Sequence, residues 1–388
     1  MTANSSLTIS TLRFPLAVMV VLIHSYFLGE MAFTPCSGDF TDMEFAIGLQ
    51  VLLSRIVSHV AVPTFYVISG YLFFLNVKTF SRNTYTTKLW KRVRTILVPY
   101  LLWNVITIVW MAMLKVGGVF IKGKPASSII DFLREHASLA TFWDCNVWEL
   151  NQTDWLGHFT PPSGPILVPM WFLRDLMVVV ALTPVLYILL RRFRWLALAV
   201  LAACYVTGIW PYAHGFSITA VFFFSWGAYF SIHGKDLVKE MRKLRVPAYI
   251  LYVPMTIALW MLNSRSTWWG DHLYPFYIIT SVVTIISITA RLSDRGKGKW
   301  LVGMQGYTFF IYGAHGVFGL YIAGVIAHVI PGYETHWLGI SISYILRPIL
   351  AIAICIYTQK LMNKWCPKIL APLVGGRIKY THGMEHEN

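Results

Sequence analysis

The sequence predicts an all-α polytopic membrane protein of about ten transmembrane helices with both termini cytoplasmic. Three observations carry that reading. Of 388 residues, 56% are apolar and only 13% are charged, about half the charged share of an ordinary soluble domain. Apolar runs of about 18 residues or more, the length that crosses ~30 Å of hydrocarbon, recur along the chain. The remaining Lys and Arg residues gather in every second connection between those runs.

The first run lies in TLRFPLAVMVVLIHSYFLGE and is read as a span over 12–29. Its short length suggests a secretory signal. It lacks a small-residue cleavage site, however, carries His24 near its end and precedes many further spans, so it is a transmembrane helix. The others are placed at 50–75, 95–115, 166–190, 195–210, 216–232, 247–262, 273–290, 301–329 and 337–359. The connections 76–94, 191–194, 233–245, 291–299 and 360–388 hold 23 Lys and Arg, and the opposite set holds 4. That bias puts both termini in the cytoplasm. It also accounts for the net charge of +15, which is spread over short patches facing lipid and cytoplasm, so no nucleic-acid partner is expected.

The chain reads as one transmembrane domain over 1–388, with a long extracytoplasmic loop at 116–165 and a cytoplasmic tail at 360–388. Within the loop, SSIIDFLREHA predicts a short helix capped by Ser127 or Ser128. Trp143, Trp148 and Trp155 follow, interleaved with Asp144, Glu149 and Asp154. They suit either an interfacial aromatic belt or a lid that stacks on a sugar. Cys36 and Cys145 both fall in outer loops, which leaves a disulfide open. The final GGRIKYTHGMEHEN reads as a mobile polar tail whose His382 and His386 are incidental.

Ionisable side chains inside a membrane are costly and are functional candidates by default. Here they are Arg13, His24, Arg55, His59, Arg174, Asp175, His315, His328 and Arg347. Arg13 and His24 are eleven residues apart, about 16 Å along a helix and about 20° from a whole number of turns, so they share a face. Arg13 falls at the cytoplasmic mouth and His24 beyond the membrane centre. Two readings of the pair stay open. An arginine clamps phosphate bidentately and a histidine takes a proton from a hydroxyl. Equally, the two could meet lipid phosphate and hydrogen-bond within the bundle.

In HVAVPTFYVISGYLFF, Ser69 is a nucleophile only beside a base, and Ser69–Gly70 reads first as a close helix contact. Lys88, Lys91, Arg92 and Arg94 form a basic patch that orients the chain and could also hold an anionic cofactor. Arg174 and Asp175 are neighbours in VPMWFLRDL and are expected to find different partners. Tyr312 and His315 share a helix face. HExxH, GxSxG, Walker loops and metal-ligand spacings are all absent from the sequence, so no metal is expected.

The motifs LRFPLAVMVVLIHS, VPTFYVISGYLFF, KRVRTILVPY, WFLRDL and FFIYGAHG, spread over residues 9 to 357, together resemble the membrane-bound acyltransferase family 3, the bacterial integral-membrane O-acyltransferases. The resemblance implies a ten-helix domain that uses acyl-CoA from the cytoplasm as co-substrate. The acyl group, usually acetyl, goes to a hydroxyl of a cell-surface or lipid-linked carbohydrate. It implies a place in the bacterial inner membrane, with His24 essential, Arg13 important, and Lys91, Arg92 and Arg94 on the donor side. Ser69, Tyr71, Trp171, Arg174, Tyr312 and His315 become candidates for pocket or acceptor contacts. The hydrolase-like extracytoplasmic domain of some relatives is not expected here, and a homo-oligomer is compatible with everything above. The competing class is a transporter of a polar solute, with arginines lining the path and His24 as proton relay.

Overall fold

Backbone polar groups in hydrocarbon must be satisfied within the chain, so apolar segments of this length fold as helices. The computed structural model describes residues 2–26, 42–77, 79–123, 125, 127–147, 163–211, 213–263, 267–333 and 335–377. Among them, six helices are long and apolar enough to cross a membrane: Ala3–Ile23, Asp42–Phe74, Arg82–Ile121, Trp268–Asp294, Lys299–Ala327 and Trp337–Trp365. Two bent pairs raise the number to eight if each is one broken span. These are Val168–Ala181 with Thr183–Phe193, bent by 64°, and Leu237–Lys243 with Arg245–Met261, bent by 68°. Trp195–Thr207 and Ile218–Ile232 are apolar but shorter. Each of the ten expected segments overlaps a helix among the described residues, while length and composition support six to eight crossings. Large apolar side chains such as Val109, Met113, Ile188, Ile250 and Ile349 point outward, as a lipid-facing surface requires.

The first helix starts at Ala3, nine residues before the expected boundary. Hydropathy misses this turn because ANSSLTIST is polar, yet its small side chains turn inward. Thr2 caps the helix by accepting from the Ser5 amide at 3.2 Å, and Thr8 donates to the Asn4 carbonyl. Ser5 donates to Asp236 at 2.7 Å. Partial burial works against the Asp236 charge, but bonds from Ser5 and from the amides of Lys239 and Thr2 hold its carboxyl below the usual range. Arg13 thus lies ten residues along this helix, at its midpoint. The helix packs against 42–74, 268–294, 299–327 and 337–365, with Leu12, Leu16, Val20 and Val21 buried, and so forms the centre of the bundle.

Helices 42–74 and 218–232 meet backbone to backbone. A Cβ on Gly70 would stand 1.9 Å from the Phe224 carbonyl oxygen, and one on Gly227 would stand 1.9 Å from that of Val67. The packing reading of Ser69–Gly70 holds for Gly70. Ser231 adds a hydrogen bond to the Tyr71 carbonyl at 2.6 Å.

The C-terminal region departs from the sequence reading. Residues 360–388 are not all tail: the last long helix continues to Trp365, and Pro367–Leu373 forms a further helix that docks on the bundle. Leu370, Leu373 and Val374 are buried there, and Trp103 donates its indole N–H to the Leu373 carbonyl at 3.1 Å. Gly313 makes room for that indole, since a Cβ would come within 2.4 Å of it. Apolar positions spaced along an otherwise polar terminus gave the docking away only once a surface existed to receive them. Residues 378–388, with His382 and His386, lie outside the described residues.

In the long loop, the expected short helix is present at Ser127–Glu135, with Phe132 as its buried anchor. Asn146–Val147 pairs with Ser163–Gly164 as a minimal antiparallel ladder. Trp148, Glu149, Asp154, Trp155 and Cys36 lie outside the described residues, and with them the sugar-lid and disulfide readings.

The glycine crossing generates a test. Gly227→Ala is expected to lower stability by about 1–3 kcal/mol or more, because the added methyl meets fixed backbone rather than a movable side chain. Gly117→Ala, where a Cβ meets nothing within 4 Å, is expected to leave the melting temperature unchanged or raised. Thermal unfolding of both variants in the same detergent checks the difference.

Candidate active site

Two imidazoles meet where the first helix ends. His24 is the residue that caps Ala3–Ile23, and its ring centroid lies 5.4 Å from that of His315. A serine fixes the end of this helix: Ser54 donates to the Leu22 carbonyl at 2.5 Å. Its one proton is then used, so the hydroxyl of Tyr344, 2.8 Å away, donates to Ser54. Ser54 sits on a π-helical turn at Val51–Ile56, and His315 opens another at His315–Gly319. Such turns re-aim side chains within a helix and are frequent at functional sites.

His315 has no solvent exposure. Its Nδ1 lies 2.9 Å from the Ile311 carbonyl, which has only lone pairs to offer, so the proton is on Nδ1. Its Nε2 therefore carries a lone pair, and that atom is buried without a hydrogen-bond partner among the described residues. His24 likewise makes no side-chain hydrogen bond among them. Buried polar atoms are normally satisfied. Two imidazoles side by side, with basic nitrogens uncommitted, are what a proton-transfer site needs.

A cavity of about 260 Å³ opens at this place, lined by His24, Thr107, Trp110, Pro169, Gly316 and Leu320 among others. By the ~30 Å³ a water molecule occupies, it holds a few small groups and no sugar chain. One wall is the 166–169 stretch, and buried side chains from three helices grip the 166–172 backbone. Asn104 accepts from the Leu167 amide at 3.1 Å, Tyr312 donates to the Pro169 carbonyl, and Tyr66 donates to the Phe172 carbonyl at 3.2 Å. Gly316 lets the wall approach, since a Cβ there would be 3.0 Å from Leu167 and Pro169. Asn104, Ser54 and Tyr344 were not anticipated. Asn104 had a signal, an amide in the apolar run VPYLLWNVITIV.

The other expected site residues scatter. Tyr312 joins the cavity through Pro169. Arg13 sits at the middle of the first helix and is half-buried, as is Arg92, and the two are close enough for their charges to repel. Lys91 and Arg94 point outward to solvent, and Lys88 covers the Phe73 ring at 5.4 Å. Trp171 is half-buried and Ser69 is half-buried with no hydrogen bond to a base among the described residues. Tyr71 is buried near Asp236 and Leu237, away from the cavity.

Arg174 and Asp175 overturn the expectation of separate partners. Both are buried, and the guanidinium Nε and Nη2 reach Asp175 Oδ1 at 3.0 and 2.9 Å. Adjacent Cα positions diverge on a helix, but an arginine is long enough to fold back. Its remaining N–H groups donate to the Trp143 carbonyl at 2.5 Å and the Ser163 carbonyl at 3.0 Å. Gly215 packs against this guanidinium and the Trp143 ring, with a left-handed φ of +86°. Arg174 is thereby the clasp of the outer loop, committed to protein groups rather than open to an acceptor.

The family described as an acyltransferase domain matches residues 7–358. The chain is also 26% identical to the succinoglycan biosynthesis protein ExoH of Rhizobium meliloti (strain 1021), over 97% of this chain and 94% of that one. No solved structure matches it. Clusters of three or more His, Cys, Asp or Glu able to hold a metal are absent among the described residues.

Arg174→Ala is expected to cost about 3–5 kcal/mol, because it strands the buried Asp175 carboxylate. The double variant Arg174→Met, Asp175→Leu removes both charges and is expected to recover part of that loss. Denaturation midpoints of the two variants decide: equal losses would mean that the loop contacts, not the stranded charge, set the cost.

Proposed function

The chain belongs to this acyltransferase domain family, and on that premise we propose that it moves an acyl group, acetyl in the family's usual case, from acyl-CoA to a hydroxyl of a glycan, with His24 as general base. The observation that carries the reading is His24, which lines the cavity and has the His315 ring packed beside it at 5.4 Å, about 16 Å along a single helix from Arg13. Ten spans with cytoplasmic termini in the bacterial inner membrane complete the topology. CoA is then a cytoplasmic polyanion facing Arg13 and Arg92, with Lys91 and Arg94 adding to the local potential. The pantetheine arm, about 15–20 Å when extended, covers the distance to the imidazoles.

The reaction follows from those positions. The acceptor hydroxyl gives its proton to His24 as its oxygen attacks the thioester carbonyl carbon. The carbon–sulfur bond breaks, the CoA thiolate takes the proton back from the imidazolium, and an ester and free CoA remain. His315 has its proton committed to Ile311, so it presents a lone pair that accepts a hydrogen bond from the hydroxyl or the imidazolium. A low-dielectric site free of bulk water strengthens each of these interactions. No metal enters the scheme. The acceptor class comes from the relative named for succinoglycan biosynthesis: a cell-surface polysaccharide or its lipid-linked precursor fits best.

Protein in bilayer discs, given labelled acetyl-CoA with surface glycans and carrier lipids of its host, is expected to release one CoA per label transferred. His24→Gln is expected to slow transfer by about 10²–10⁴, the span of general-base catalysis, with CoA binding retained. Transfer at the wild-type rate by a folded His24→Gln protein would remove His24 from the chemistry. Absence of CoA binding by the wild type would remove the donor.

A further inference from the structure

The docked C-terminal segment brings a third cation to the region of Arg13 and Arg92. Two glycines with left-handed backbone, Gly375 at φ +62° and Gly376 at +71°, turn the chain after helix 367–373. A Cβ on Gly375 would lie 2.5 Å from the Thr95 carbonyl oxygen, so only glycine permits the approach. Arg377 follows, and three contacts hold its guanidinium. Nη1 donates to the Val374 carbonyl at 3.0 Å, Nη2 donates to the Thr95 carbonyl at 3.3 Å, and the group lies 4.4 Å above the Phe309 ring. Thr95 is three residues beyond Arg92. Phe309 belongs to the 299–327 helix, whose beginning packs against the first helix beside Arg13, with Phe14 edge-on to Trp300 at 6.3 Å.

Three segments distant in sequence therefore aim guanidinium groups at one region. Among the described residues, none of Arg13, Arg92 and Arg377 is in an ion pair with a carboxylate. Arg377 is exposed at the surface, and Arg92 and Arg13 lie close enough for their positive charges to bear on it. A cluster of like charges held by backbone carbonyls and an aromatic face is unfavourable by itself, and a multiply charged anion relieves it. Bidentate donors suit phosphate in particular.

We propose that Arg377 completes, with Arg13 and Arg92, a binding site for a phosphate ester where the docked C-terminal segment meets the bundle. The site rests on the acyl-CoA reading for the identity of its ligand, since the same chemistry would also hold a phospholipid headgroup. The C-terminal segment is then part of the donor site, although it lies beyond the 7–358 family match.

The test uses full-length protein in phosphatidylcholine discs, with coenzyme A as probe in calorimetry. Arg377→Gln is expected to weaken CoA binding by about tenfold to a hundredfold, the worth of one charge-assisted bond, and to flatten its salt dependence. Arg377→Lys recovers part of the affinity. Lys368→Gln, which removes a solvent-exposed charge from the same segment, leaves it unchanged, and matched melting temperatures exclude a folding defect. Native mass spectrometry after purification with anionic lipid gives the other arm. Loss of a retained phospholipid in Arg377→Gln, with CoA affinity intact, would keep the phosphate site and assign it to lipid. If wild type binds CoA and Arg377→Gln matches it in both CoA affinity and lipid retention, the inference fails while the acyltransfer reading stands. If wild type binds no CoA, the donor reading fails, and the site survives only through the lipid arm.

Discussion

An α-helix rises about 1.5 Å per residue, and that fixed rise is what the rest of this molecule is arranged around. The helix Ala3–Ile23 carries Arg13 and, at its cap, His24 on one element, with Pro15 between them. Four long helices surround it, and the groups that matter beside each residue come from other segments. At one end His315 and the 166–169 wall meet His24. Eleven residues back, at the middle of the helix, Arg92 and Arg377 approach the region of Arg13. The proposed chemistry needs a polyanion and a thioester separated by one pantetheine arm, and a single helix sets that length without any loop.

Polar groups inside the bundle divide by what they touch. Most bond to backbone. Asn104, Tyr66 and Tyr312 hold the wall of the cavity, Ser54 holds the end of the first helix, and Trp103 holds the docked C-terminal helix. These are costly to bury and are satisfied in full, so they define one arrangement of neighbouring helices. His315 differs from these in that its Nε2 is buried without a hydrogen-bond partner among the described residues, a condition it shares with hydroxyls such as those of Ser225 and Ser343. Arg174 looked from its residue type like the same kind of group, but its partners make it structural.

The π-helical turns explain how long apolar helices carry such sites at all. An extra residue in a turn shifts the face that follows by about 100°. The turn at Val51–Ile56 presents Ser54 to the first helix, the one at His315–Gly319 presents His315 to His24, and the one at Val93–Leu97 follows directly on Arg92. The turn at His315–Gly319 interrupts an apolar run that hydropathy treats as featureless.

Composition, apolar run length and the skew of Lys and Arg were enough to determine a helical membrane protein and where nearly all its helices lie, because lipid imposes those patterns on any chain that spans it. The motif set was enough to determine the family, and the Arg13–His24 spacing followed from helix geometry alone. What the sequence did not determine was which polar residues face one another. The start of the first helix was hidden because Ser5, Thr8 and Thr11 are polar yet buried. The docked C-terminal helix was hidden because its apolar residues had no visible partner. Only the tertiary structure decided that Arg174 folds back on Asp175 and clasps a loop, that His315 rather than Ser69 stands beside His24, and that Arg377 reaches the region of Arg92. Each depends on a contact between segments tens to hundreds of residues apart, and no local periodicity records such a contact.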